Sequence, residues 1–193
     1  MGDRAGIRGF ALGYVGADVL SRKALLKKIN YPTPHEEKVF WNLKRYGSPL
    51  SMPGTPGLDL TLEETLAEAL LMSRRFPFVA HVWPVMFALN ADHVDMDLLE
   101  DLSRHLGQGA TLGFFLSLTR SLVGDSDPLP NEVSLEDTKP RKPESFFLVE
   151  HGPMMVELAE RRSPQVARDW NFRMVTPLEG FQETFDTFVN RDA

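Results

Sequence analysis

Four side chains that could coordinate a metal ion fall within one short stretch of the sequence: Asp92, His93, Asp95 and Asp97. Carboxylate oxygens and imidazole nitrogens are ordinary ligands of divalent cations, and a hard cation needs several carboxylates that converge on it. The spacing departs from the calcium-loop pattern, because position 6 of a loop begun at Asp95 is Glu100 rather than glycine. The acids are typical of a helix start, where carboxylates cap free amides and face the positive end of the helix dipole. We assign no metal site from this pattern.

The residues of common enzymes do not occur in their usual spacings. The chain has no cysteine, which excludes a thiol nucleophile, disulfides and thiolate zinc sites. Its five histidines form no zinc pair of the His-Glu-x-x-His type, and no serine lies in a Gly-x-Ser-x-Gly turn. Gly6, Gly9, Gly13 and Gly16 fit neither the dinucleotide fingerprint nor the P-loop. The sequence therefore assigns no catalytic residue and no cofactor.

Charge divides the chain into two parts. The first 46 residues carry nine Lys and Arg against four Asp and Glu, a net of +5, and the other 147 carry twelve against twenty-three, a net of −11. Such a division can hold a basic segment against an acidic surface, its own or a partner's. The overall charge of −6 argues against a protein that binds duplex nucleic acid through a broad basic face.

The basic front segment holds most of the candidate binding residues. Apolar residues recur at helical spacing over 18–29, and a second helix is predicted from Pro34 to about Tyr46. The cations and one aromatic that could meet an acidic protein are Arg22, Lys23, Lys27, Lys28, Trp41, Lys44 and Arg45. Docking on an acidic protein is the interpretation we prefer; nucleic-acid phosphates are the alternative, and a merely solvated helix face is the third.

Aromatic residues form a stripe on the last predicted helix. Phe181, Phe185 and Phe188 recur on one face of a helix that begins near Leu178. Rings at this spacing pack into a core, and they can also lie in the groove of a partner. Phe181 and Phe185 are accordingly candidates for both roles.

The body of the chain has strong helix signals. Thr61 and Glu64 form a capping box at the start of one helix. Asp95 can cap a later amphipathic helix, and 110–123 forms another helix. Between them, 77–89 is apolar on all sides, which predicts a buried helix that Pro84 kinks or restarts. The fold class is therefore mainly α, a multi-helix bundle or short helical-hairpin stack with a small α+β C-terminal element.

Composition suggests four segments. Residues 1–46 form the basic N-terminal helical segment, 58–123 the helical core, and 124–145 a flexible linker rich in proline and charge. Residues 146–193 are predicted to form a small α+β element, with strands over 146–149 and 171–175, that docks on the core. No apolar run is long enough to cross a bilayer, so we expect a cytoplasmic protein without a membrane partner.

One short run resembles a known family. Leu112-Gly113-Phe114-Phe115-Leu116 is similar to a helix in antitoxin-type regulators of the abortive-infection class. Those regulators carry a winged helix near the N-terminus, and residues 1–46 show no such recognition helix and wing. The resemblance implies a regulatory role and transfers no residue function.

These observations favour a non-enzymatic interaction or regulatory protein that binds stoichiometrically, such as an adaptor, inhibitor, immunity protein or antitoxin. The first alternative is a nucleic-acid-linked transcriptional regulator that uses the basic segment. The second is a hydrolase, with or without a metal, whose site is assembled from residues far apart in sequence. The partner's identity and the oligomeric state are not encoded in any pattern found.

Overall fold

A computed structural model describes residues 31–50, 55–124, 133–148 and 153–189. By its contacts the chain divides into two units, 1–33 and 34–193. The predicted helix over 18–29, with Arg22, Lys23, Lys27 and Lys28, lies outside the described residues. All the described helices and strands belong to the second unit.

The described residues are mainly helical, with a two-stranded parallel sheet near the C-terminus, so the predicted fold class is confirmed. The body consists of five helices: α1 (Pro34–Arg45), α2 (Leu62–Ser73), α3 (Pro77–Asn90), α4 (Met96–His105) and α5 (Gly109–Val123). The C-terminal element contains three more: α6 (Pro153–Arg162), α7 (Gln165–Asp169) and α8 (Leu178–Phe188). The strands are β1 (Glu144–Ser145) and β2 (Phe172–Arg173), and two 3-10 helices cover Ala91–His93 and Val133–Thr138.

Caps fix the starts of α2 and α4 where the sequence predicts them. Thr61 donates its backbone N–H to Glu64 Oε2 at 2.8 Å and accepts from Glu64 N at 3.2 Å, which completes the capping box. Asp95 Oδ1 accepts from Leu98 N at 3.1 Å. Glu63, buried on α2, accepts the Asp95 backbone N–H at 3.0 Å and so ties the two helix starts together.

The core is aromatic and is centred on α3. Trp83 stacks on Phe87 and Phe115 at centroid distances of 5.4 and 4.9 Å, and its indole N–H donates to the Leu66 carbonyl. Of the two outcomes expected at Pro84, a kink or a restart, the helix shows no restart, since it runs unbroken from Pro77 to Asn90. Burial of Pro84 among its apolar neighbours lets packing offset the hydrogen bond that proline removes.

The C-terminal element packs against this core through Arg74 of the body and through three phenylalanines, one from the body and two from the element. β1 pairs with β2 in parallel, Glu144 opposite Phe172, two residues before the predicted strand. Arg74, at the end of α2, donates to the carbonyls of Ser145 and Phe146, both at 3.0 Å, and to Glu144 Oε1 at 2.8 Å. The rings that complete this contact are Phe114, Phe146 and Phe172.

Residues 133–145, within the expected linker, also pack on the body. Leu135 is 1% exposed, and Thr138 lies so close to Gly109 that a β-carbon there would approach its Cγ2 to 2.7 Å. Arg104 of α4 holds Asp137 in a two-pronged ion pair at 3.0 and 3.1 Å, and its hydrogen bond lowers the pKa of Asp137. Side chains from the predicted linker therefore pack against the helical core, although composition assigns the two to separate segments. No helix of the described residues has the length and apolar character needed to cross a membrane.

Candidate functional site

Three of the predicted partner-binding residues lie together on α1. Trp41 is half-buried, and Lys44 and Arg45 are exposed at the C-terminal end of the helix. The Arg45 guanidinium lies 5.9 Å from the Trp41 ring centroid and 5.4 Å from that of Tyr46. We call Trp41, Lys44, Arg45 and Tyr46 the α1 surface. Its combination of an arginine with two aromatic rings is typical of the residues that dominate protein interfaces.

The loop after α1 holds this surface in place. Tyr46 donates its hydroxyl to the Leu60 carbonyl at 2.9 Å, and Arg45 forms an ion pair with Asp59. The hydrogen bond to Asp59 raises the pKa of Arg45, so the guanidinium stays charged at all physiological pH values. Asp59 is 85% exposed and offsets part of the local positive charge. Lys44 forms no ion pair within the described part of the chain.

The two predicted aromatic residues of α8 lie in the core. Phe181 and Phe185 are each 1% exposed. Phe181 stacks on the His81 ring at a centroid distance of 4.6 Å. His81 Nδ1 lies 3.1 Å from the Gly180 carbonyl oxygen, and burial lowers the pKa of His81. These rings attach α8 to α3, and a partner would reach them only if α8 left the body.

The acidic cluster around Asp95 forms a helix start in the structure. Asp95 caps α4, and Asp92 and His93 belong to the 3-10 helix that precedes it. In the ranges that the structure describes, no group of three or more His, Asp or Glu side chains is placed to hold a metal ion.

The structure brings together a polar cleft that sequence reasoning missed. It has a volume of about 630 Å³ and lies between the C-terminal half of α5, the 3-10 helix over Val133–Thr138, and α7. Trp170 closes one side and donates its indole N–H to Ser117 Oγ at 2.8 Å. Lys139 Nζ lies 4.5 Å from the Trp170 ring centroid and pairs with Glu136 at 2.6 Å. The positive charge of Lys139 is therefore balanced within the cleft.

A second cleft, of about 310 Å³, lies beside the end of α6 and also takes residues from α7. Arg168 and Arg173 line it together with Glu160 and Ser163. The residues of both clefts are separated in sequence by loops, so spacing along the chain gives no signal for either. The only trace in the sequence is the presence of several arginines after residue 160.

Comparison of the chain with protein-family models, with curated proteins and with solved structures finds no match in any of the three. Core packing accounts for the run Leu112–Leu116. Leu112, Phe114, Phe115 and Leu116 are at most 1% exposed, and Gly113 lies directly beneath the Trp170 ring.

Proposed function

We propose that this protein acts by stoichiometric binding to an acidic protein partner, as an adaptor, inhibitor, immunity protein or antitoxin would. The observation that supports the proposal is the α1 surface, where an arginine lies against two aromatic rings beside Lys44, a lysine with no ion pair among the described residues. Tryptophan and tyrosine provide large contact area at small entropic cost, and arginine adds charge-assisted hydrogen bonds, which is why these residues concentrate binding energy.

The charge of the leading segment supports the same proposal on sequence grounds. Arg22, Lys23, Lys27 and Lys28 lie in a front region with a net charge of +5, within a chain whose total is −6. Such a local excess of positive charge accelerates encounter with an acidic partner and opposes encounter with a basic one.

The test uses two variants that change net charge equally. In one, Arg22, Lys23, Lys27 and Lys28 become Glu; in the other, Arg141, Lys142, Arg161 and Arg162 become Glu. The partner is captured with the wild-type chain, purified, and titrated against each variant by calorimetry. We expect the first variant to weaken association by more than about tenfold, or ~1.4 kcal/mol, and the second to leave it near wild type.

A third variant tests the α1 surface itself. Lys44→Glu reverses the one α1-surface cation without an ion pair in the described residues, and its exposed position leaves the fold intact. We expect a several-fold loss of affinity, larger at low salt. The proposal would be refuted if the wild type, the variant with Arg22, Lys23, Lys27 and Lys28 changed to Glu, and Lys44→Glu all bound the partner with equal affinity. Binding to DNA that falls steeply with salt, without a protein partner, would favour the nucleic-acid alternative instead.

A further inference from the structure

The second cleft has positive charge that its own acids do not balance. Arg168 Nη2 donates to the carbonyl oxygens of Glu160 and Arg161 at 3.1 and 3.2 Å. Arg173 Nη1 pairs with Glu160 Oε1 at 2.9 Å. Two guanidinium groups thus converge on one residue that has a single carboxylate. Each guanidinium carries five N–H donors, so both retain donors beyond these contacts.

Three more cations lie within two positions of this cleft's lining residues in the sequence: Arg141, Lys142 and Arg162. Pro143 lines it and Pro140 accepts a hydrogen bond from Asn171 in its wall, so Arg141 and Lys142 lie on the short connection at its edge. Arg162 directly precedes Ser163, another lining residue. All three cations are exposed, and none forms an ion pair in the part of the chain that the structure describes. Two cations and one acid therefore line the cleft, and three more cations lie close in sequence to its lining residues.

The walls of this cleft are fixed before any ligand arrives. Ser163 Oγ donates to the Ala159 carbonyl at 2.6 Å and accepts from Met174 N at 2.8 Å, which joins the end of α6 to the end of β2. Asn171 adopts a left-handed conformation, with φ of 56°, and donates its side-chain amide to Pro140 O at 2.7 Å. A site that is already ordered loses little entropy when it binds.

We propose that this cleft binds a small polyphosphate, with Arg168 and Arg173 on one phosphate group and Arg141, Lys142 and Arg162 near the others. Guanidinium groups match phosphate oxygens with two parallel hydrogen bonds, which favours phosphate over a simple halide. The ligand is small because the whole chain is acidic, with a net charge of −6. Within a Debye length of about 8–10 Å only the local cations act, whereas a long strand would extend over acidic surface.

The experiment is calorimetric titration of the full chain with inorganic tripolyphosphate, with the two four-charge variants described above. Arg141, Lys142, Arg161 and Arg162→Glu should weaken binding at least tenfold, and Arg22, Lys23, Lys27 and Lys28→Glu should leave it within twofold. This pattern is the reverse of that expected for the protein partner. Failure of one proposal is therefore distinguishable from failure of the other.

A conservative variant tests whether the planar guanidinium of Arg168 is needed for binding. Arg168→Lys keeps the charge but loses the planar pair of donors, so we expect a several-fold weaker affinity with an unchanged circular dichroism spectrum. Absence of tripolyphosphate binding to the wild type would overturn the proposal, as would an equal loss in both four-charge variants. Tighter binding of a single-stranded oligonucleotide than of tripolyphosphate would overturn the assignment of a small ligand.

Discussion

Gly113 shows how one residue sets the spacing between two parts of the chain. A β-carbon at this position would overlap the benzo ring of Trp170, at its Cη2, Cζ3 and Cζ2 atoms. The indole is buried, at 2% exposed, and held by its hydrogen bond to Ser117, so it cannot move aside freely. Glycine is therefore required here for close approach and not for backbone freedom.

The corresponding prediction concerns stability. Gly113→Ala should destabilise the fold by about 1–3 kcal/mol, because the added methyl overpacks a filled contact. Urea unfolding measures the change. In a Trp170→Phe background, where the overlapping benzo ring is absent, the same substitution should cost much less; equal costs in both backgrounds would contradict this account.

His81 gives a pH-dependent contribution to stability. Its ring is stacked on Phe181 and bonded to the Gly180 carbonyl, and burial lowers its pKa below the ordinary 6.5. The unfolded chain therefore binds a proton more readily than the folded one. This contribution is fully present above pH 6.5 and is lost as the pH falls from 6.5 through the lower folded-state pKa.

We therefore expect the free energy of unfolding to decrease as the pH falls below 6.5, and His81→Gln to remove part of that decrease. Urea unfolding at several pH values measures how steeply the free energy of unfolding depends on pH in the wild type and in His81→Gln. His105→Gln, at an exposed histidine, is the matched control and should keep the wild-type slope. An identical slope in wild type and His81→Gln would show that His81 makes no contribution.

At the scale of elements, Arg74 connects the helical body to the sheet. Its side chain is 15% exposed and donates to Glu144, Ser145 and Phe146 from the end of α2. The guanidinium also lies 5.3 Å from the Phe172 ring centroid. One side chain thus bonds the carbonyls of Ser145, in β1, and of Phe146, which follows it, and also contacts β2.

Removal of this side chain should loosen the C-terminal element. Arg74→Gln should cost about 2 kcal/mol, because charge-assisted hydrogen bonds are lost and the partly buried Phe146 carbonyl loses its arginine donor. Arg74→Lys should keep little of this stability, since lysine lacks the planar pair of N–H donors. Hydrogen exchange at 144–148 should accelerate in both. Lys142→Gln, an exposed neighbour without an ion pair in the described residues, should stay within about 0.5 kcal/mol of wild type.

The elements that the sequence predicts are those with local signals. The α2 and α4 starts follow from Thr61, Glu64 and Asp95, whose caps act over three residues. β1 and α7 contain only two and five residues, too few for periodicity to show. The cleft at Arg168 depends on contacts between α6, α7 and β2. Such contacts are set by tertiary packing, and no spacing along the chain records them.

At the scale of the whole molecule, charge is segregated more finely than the sequence totals suggest. Residues 34–193 have a net charge of −10, since the first 33 residues contribute six Lys and Arg against two Asp and Glu. Within this acidic unit, the structure places two arginines, Arg168 and Arg173, in the lining of one cleft that contains a single acid, Glu160. The overall sign of a protein therefore does not determine the sign of each binding site.

Deletion of residues 1–33 separates folding from binding. Residues 34–193 form one unit by their contacts, so we expect the shortened chain to keep the free energy of unfolding within about 0.5 kcal/mol. The loss of six cations should weaken association with the acidic partner by more than about tenfold, and leave tripolyphosphate affinity unchanged. Urea unfolding and calorimetry measure these effects. A shortened chain that unfolds would place the first 33 residues in the fold, and one that folds and still binds the partner would assign binding to the α1 surface alone.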